Sequence, residues 1–271
     1  MLVAVDTGGT KTLIASFDKD GILDDQVKFP TPKDQIEYVK HLRSMIKDRY
    51  KGKSVEAVVV AIPGVIRHGV VVTCGNLPWK NFDVASALSG VLGDTPIFIE
   101  NDAKLAGLSE TRFLKQIPPQ SLYVTISTGI GSGIITDGHI SQAFHNSEAG
   151  HALIEYDGVA SEWESFASGQ AIYKTYGKYA HEITSKRVWN QIADRISRGF
   201  LAIIPILQPD VIIIGGSIGT YFDKFGEKLV GLLKEKLPEI TPCPLFVKAR
   251  YPELAVIYGC YFYALDNITN K

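Results

Sequence analysis

LVAVDTGGTKTLIASF at residues 2–17 and LYVTISTGIGSGIITDG at residues 122–138 read as one pattern written twice. Each starts as an apolar, β-branched run, breaks at a Thr-Gly pair, passes a Gly-rich turn and resumes as a second apolar run, the signature of a β-hairpin. An Asp-Gly turn follows both, Asp20-Gly21 in the first and Asp137-Gly138 in the second. Thr7-Gly8 and Thr128-Gly129 stand 121 residues apart. Solenoid repeats recur every 20–50 residues, so this spacing predicts two related domains instead. QIPPQS at 116–121 carries two prolines between the copies and marks the junction, which gives domains at 1–115 and 116–271.

Outward from the hairpins the pattern alternates strand and helix. Ile36, Val39, Leu42, Met45, Ile46 and Tyr50 fall at steps of three and four and predict an amphipathic helix over 36–50. VEAVVVAI ends at Pro63-Gly64, and PIFIEN runs into a helix starting near Asp102. In the second half helices are expected around 161–207, then a strand DVIII, a turn GGSIG and a helix carrying Phe222, Phe225, Leu229, Leu232, Leu233 and Leu237. LAVIYGCYFYAL at 254–265 predicts a last helix, about 255–271, that packs back on the first domain. The fold class is α/β.

Composition narrows the function. In 271 residues, 28 basic side chains balance 29 acidic ones for a net charge of −1, which lacks the basic footprint of a nucleic-acid or polybasic membrane-surface protein. Cys74, Cys243 and Cys260 have no paired spacing, so neither a disulfide framework nor a cysteine zinc site is expected. MLVAVDTGG has no basic leader region and the apolar runs are strand-length, so a cytoplasmic protein is expected.

Glycine, at 25 residues, is where the chemistry concentrates. The turns GGT (8–10), GIGSG (129–133) and GG (215–216) contain no Gly-x-x-x-x-Gly-Lys-Ser/Thr loop, and the first two return to strands where a dinucleotide fingerprint would open a helix. Such hairpins let successive backbone N–H groups converge on an anion. Each alone reads equally as a tight turn needing positive φ. Together they suit a nucleoside triphosphate: Asp6, Thr10 and Lys11 beside Gly8 and Gly9 for a Mg2+-bound water and a phosphate, and Thr128 and Ser132 beside Gly129 and Gly131 as uncharged partners. Gly215-Gly216, leading into a helix, allows close approach of a nucleotide. Asp102, in IEND at a strand-to-helix junction, reads either as an N-cap or as a carboxylate at a sheet's carboxyl edge.

DTGGTK, STGIGSG, END, EAGH and IIIGGSIG occur in an order that resembles the ROK family of sugar kinases, in the actin-like, hexokinase-like ATPase superfamily. The resemblance spans almost the whole chain. It implies two duplicated ribonuclease-H-like domains with ATP and sugar in an interdomain cleft, and an ATP-dependent hexose kinase, with glucose at O6 foremost and fructose, mannose, allose or an N-acetylhexosamine as alternatives. By the same resemblance Asp102 is the base that accepts the proton of the sugar hydroxyl, and Gly64, Asn76, Asn101, Glu148, His151 and Glu164 surround the sugar. A homodimer is implied as well.

One segment departs from the family. HALIEYDGVASEWES, at 151–165, has no cysteine where many members carry a zinc motif, so no zinc is expected. Glu155, Asp157 and Glu162 stand roughly where the cysteines would be, as possible ligands for a harder cation or as solvated acids. ROK regulators carry a winged helix at the N-terminus. Here DTGGTK starts at residue 6, which argues for a kinase over a DNA-binding regulator.

Overall fold

β1 (Leu2–Thr7) and β2 (Lys11–Phe17) pair antiparallel in the computed structural model, which describes residues 1–268. β3 (Leu23–Pro30) adds to the outer side of β2. It escapes the apolar pattern because only alternate residues turn inward, and it is pinned to α1 (Gln35–Tyr50) by a bidentate Arg49–Asp25 pair at 2.6 and 2.8 Å. The α1 core stripe is Tyr38, Leu42, Ile46 and Tyr50. Ile36, expected on that stripe, is 79% exposed, because it lies two residues before Tyr38, about 200° round the helix and so on the opposite face.

β4 (Ala57–Ile62) lies parallel to β1 and is buried along its whole length, as befits a strand covered on both faces. β5 (Val65–Arg67), β6 (Val70–Thr73) and β7 (Lys80–Phe82) form a small antiparallel sheet with no counterpart in the expected elements. After α2 (Val84–Leu88), β8 (Ile97–Asn101) adds parallel to β4 and continues directly into α3 (Asp102–Arg112).

The second series repeats this order. β9 (Gln120–Ile126) and β10 (Ile130–Thr136) form the hairpin and β11 (His139–Ile140) its edge. β12 (Leu153–Tyr156) and β13 (Val159–Glu162) make a separate hairpin, followed by α4 (Trp163–Ala167), α5 (Gly169–Tyr176) and α6 (Lys186–Leu207). β14 (Val211–Gly215), α7 (Gly216–Gly219), α8 (Phe222–Lys236) and β15 (Leu245–Lys248) complete it, before α9 (Ala255–Ile268). The last three residues of the helix expected to reach 271 lie outside the described residues.

The two main sheets have orders β3-β2-β1-β4-β8 and β11-β10-β9-β14-β15, an antiparallel three-strand meander extended by two parallel strands in both cases. This is a duplicated ribonuclease-H-like fold. The chain divides into two compact units, Met1–Ser109 with the segment from Leu254, and Glu110–Glu253.

In the first unit α9 packs on β1 and β4, and a Cβ at Gly259 would lie 2.0 Å from the Leu105 carbonyl oxygen, so glycine sets the approach of α9 to α3. In the second, Trp163, Ile192, Ile196, Phe200, Leu229 and Leu233 share a core with the inner face of β9. Gly199 on α6 leaves room for the Trp163 indole, whose ring a Cβ there would meet at 2.1 Å. No helix among the described residues is long and apolar enough to cross a membrane.

Candidate active site

In the first unit the carboxyl ends of the parallel strands gather the polar residues, where ligands of open α/β sheets bind. Register sets them level: Asp6 pairs with Ala61, and Ile62 with Asn101. Asn101, not Asp102, caps α3. Its Oδ1 accepts the Lys104 N–H at 3.1 Å while its Nδ2 donates to the Gly64 carbonyl at 2.9 Å. The cap reading of Asp102 is thereby corrected. Asp102 is the first helical residue, half-buried, with Oδ1 accepting the Ala103 N–H at 2.8 Å.

Burial pushes the Asp102 carboxyl above the usual carboxylate range. Burial, and then the Asp102 charge, push Asp6 up to about 7, with Lys28 offsetting part. Burial raises the proton affinity of both carboxyls and the Asp102 charge adds to that of Asp6, a gathering of negative charge that a divalent cation would relieve. The donor set therefore fits a Mg2+ held by Asp6.

The first Gly-rich turn is built by crowding. Gly8 and Gly9 have ordinary φ, so the positive-φ reading does not hold for them. A Cβ on Gly9 would lie 2.9 Å from the Asn76 Cβ, and one on Gly8 3.0 Å from the Lys11 carbonyl oxygen, which accepts the Gly8 N–H. Gly9 thus brings the turn against Asn76. Thr10 and Lys11 are exposed beside it.

Sequence reading missed two further members. β3 returns antiparallel to β2, its Pro30 opposite Lys11, so Thr31 and Lys33 land on the turn. Thr31 Oγ1 donates to the Gly8 carbonyl at 2.8 Å, and the Lys33 ammonium donates to the Gly9 carbonyl. Their signal was the strand preceding them, whose polar alternate positions hid it. Gly64, at φ 145°, is a position L side chains rarely adopt, and a Cβ there would meet the Thr73 carbonyl at 2.3 Å.

In the second unit the Thr128-Gly129 turn closes with the Ser127 N–H on the Gly129 carbonyl at 2.9 Å. Gly129 also has ordinary φ; its small size admits the Glu164 carboxylate, whose Oε2 would stand 2.5 Å from a Cβ. That oxygen accepts the Ile130 N–H at 3.0 Å, so Glu164 braces the turn. Gly131 pairs with Thr125 in the hairpin. Ser132, expected beside the phosphates, is buried and accepts the Ala149 N–H at 3.2 Å, which ties the EAGH segment to β10. Gly150 in that segment is pressed on β10 so closely that a Cβ would stand 2.1 Å from the Ile130 carbonyl oxygen.

Glu148 precedes this turn, and its carbonyl accepts the His151 N–H at 3.2 Å. His151 is exposed, with Nδ1 3.4 Å from Glu162 Oε2. Ligand atoms of His151, Glu162 and Glu164 lie within 4.8 Å of one another. Glu155 and Asp157 do not join them. Asp157 and Gly158, at φ 53° and 78°, form the two-residue turn of the β12–β13 hairpin, and Glu155 accepts the Gly158 N–H at 2.7 Å. The acids expected as a group are therefore divided between a turn and the His151 cluster.

Gly215 and Gly216 end β14 and open α7. Gly216 has φ 80°, and a Cβ on it would lie 2.5 Å from the Ile126 carbonyl oxygen, so here both conformation and space require glycine. Thr128 and Gly216 border a cavity of about 780 Å³ within this unit.

A duplicated ribonuclease-H-like fold with a Gly-rich hairpin at the same place in each copy is the fold of actin-like ATPases. The chain belongs to the ROK family, whose model matches residues 2–266. It is 30% identical over 251 residues to the polyphosphate glucokinase of Mycobacterium tuberculosis (strain CDC 1551 / Oshkosh), covering 89% of this chain and 84% of the relative. It is 26% identical over 237 residues to the fructokinase of Pediococcus pentosaceus, covering 80% of each. The crystal structure of a ROK family glucokinase from Streptomyces griseus, in complex with glucose and AMPPNP, superposes with a TM-score of 0.80 at 20% identity, covering 98% of this chain and 99% of that one.

Proposed function

We propose that the chain is a hexose kinase that transfers the γ-phosphoryl group of ATP to a sugar hydroxyl, with glucose at O6 as the first substrate to test. The observation that carries this reading is the division of labour at the β8–α3 junction. Asn101 satisfies the helix end and anchors Gly64, which leaves the Asp102 carboxylate for a substrate hydroxyl. In this role Asp102 orients the hydroxyl and accepts its proton as the oxygen bonds to phosphorus and the phosphorus–oxygen bond to ADP breaks. A base of this kind contributes mainly by positioning. Its raised proton affinity brings it closer to working pH, which favours proton acceptance in the transition state.

Asn76, Asn101, Gly64, Glu148, His151 and Glu164 are the proposed sugar-side positions. Asp6, Gly8, Gly9, Thr10, Lys11, Thr128, Gly129, Gly131, Gly215 and Gly216 are the proposed nucleotide-side positions. Mg2+, when bound, supplies charge neutralisation on the β- and γ-phosphates, and Asp6 would hold it through water. The similarity to a polyphosphate glucokinase and a fructokinase supports a sugar kinase while leaving the hexose to experiment. A cytoplasmic homodimer belongs to the same reading.

The test is ADP release from Mg-ATP across a hexose panel, with wild type and Asp102→Asn. Wild type is expected to respond to glucose, and the variant to lose at least ~10²-fold in turnover. A response to fructose alone would move the substrate, not the reaction. No sugar-stimulated release with any hexose, or full turnover by Asp102→Asn, would overturn the proposal.

A further inference from the structure

Resting on the kinase reading, we infer that Tyr156 and Arg195 are positioning residues for the sugar, a clamp that fixes where His151 and Glu164 stand. The Tyr156 ring, at the tip of the β12–β13 hairpin, stacks on Phe166 of α4 with centroids 4.7 Å apart and planes at 5°. The Arg195 guanidinium lies 5.1 Å from the Tyr156 ring centroid and 5.8 Å from that of Tyr176 on α5. Arg195 Nη1 also donates to the Phe166 carbonyl at 2.9 Å. One side chain of α6 thereby ties a hairpin and two short helices together.

The base of the clamp is rigid, since Arg195 stands on α6 between Ile192 and Ile196, both fully buried in the core of the second unit. What it holds is weak alone. A separate two-stranded hairpin is marginal in water without packing. α4 has five residues, far below the length at which a helix persists by itself. Phe166 is in its last turn, where carbonyls have no partner within the helix, and Arg195 supplies one.

The clamp reaches the sugar-side positions through short, stiff links. His151 precedes β12, Leu153 pairs with Glu162, and the Trp163 N–H donates to the Ala152 carbonyl at 2.9 Å. Glu164 is the next residue, two before Phe166. Its Oε2 accepts the Ile130 N–H, and a carboxylate has a second oxygen to offer a sugar hydroxyl. The Thr128-Gly129 turn has ties of its own besides Glu164. Ser127 N–H donates to the Gly129 carbonyl, and Gly169 N–H donates to the Ser127 carbonyl at 2.6 Å. Loosening the clamp should therefore move the sugar contacts and spare the nucleotide side.

The experiment is calorimetric titration of the full chain with the hexose that wild type phosphorylates, glucose first, paired with KM values for hexose and Mg-ATP. Tyr156→Ala takes the ring from Phe166 and Arg195 at once. It should weaken hexose binding and raise the hexose KM about tenfold, the order that one ring stack and one cation–π contact supply together. The KM for Mg-ATP should stay unchanged. Tyr156→Phe, which keeps the ring, should restore hexose affinity. Arg195→Gln should raise the hexose KM as well, and the double variant should fall short of the product of the two effects, because both act through one contact. A merely structural loss would reduce the folded fraction, lowering kcat and leaving both KM values in place. That result would overturn the inference, as would an equal rise in both KM values or a Tyr156→Phe as weak as Tyr156→Ala, and the kinase reading would stand. No transfer by wild type to any hexose would remove the kinase reading and this inference with it.

Discussion

Replacing Asp6 by asparagine should stabilise the protein at neutral and alkaline pH. Burial and the neighbouring Asp102 push Asp6 up to about 7, from an ordinary value of 3.8. The folded chain therefore binds this proton more tightly than the unfolded chain does. Below the unfolded value both states are protonated and nothing is lost. As pH rises from about 4 to about 7 the unfolded state releases its proton while the folded state holds it, and stability falls through that window. The shift of about 3 units corresponds to about 4 kcal/mol at full extent.

Asparagine is neutral throughout, so the difference between variant and wild type should open from near zero at pH 4 to about 4 kcal/mol at pH 8, or roughly 8 °C in melting midpoint. The assay is a series of thermal melts of both proteins in EDTA-containing buffers at unit pH steps. Asp102→Asn in the wild-type background should narrow the window without abolishing it, because burial is the larger cause. A pH-independent difference, or a variant less stable than wild type at pH 8, would refute the reasoning.

Asn101→Ala removes both the α3 cap and the tie to Gly64, and should cost about 1–2 kcal/mol in denaturant unfolding. Gly199→Ala, which in an open helix would gain stability, should lose about 1–3 kcal/mol because its methyl enters the Trp163 ring; urea midpoints at constant m-value check it. Gly216→Ala combines positive φ with a backbone clash, and should destabilise by more than about 1 kcal/mol while weakening Mg-ATP binding in calorimetric titration.

The duplication was legible because a hairpin with two apolar strands announces itself locally, and its second copy arrives in the same order. β3 was not, since an edge strand needs only every other residue to be apolar, and its hold on α1 is an arginine–aspartate pair. That omission concealed Thr31 and Lys33, which reach the turn only when β3 folds back. The α1 stripe was misplaced at its start because Ile36, two residues before Tyr38, falls on the opposite side of the helix. Glycines were legible as a cluster but not by cause: at 8, 9 and 129 the requirement is space for a carbonyl, Asn76 and Glu164 in turn, and of the three Gly-rich turns only the one at 215–216 also needs positive φ, at Gly216. Which of two adjacent residues caps α3 depends on the Gly64 carbonyl, thirty-seven residues upstream of Asn101, and no local pattern reports it.

The β12–β13 hairpin lies in the cysteine-free segment at 151–165. Its order comes from the Asp157-Gly158 turn, from Tyr156 stacked on Phe166 at 4.7 Å, and from the Arg195 guanidinium 5.1 Å from the Tyr156 ring. None of these parts is a thiol. The segment therefore offers no cysteine for peroxide or disulfide stress to oxidise.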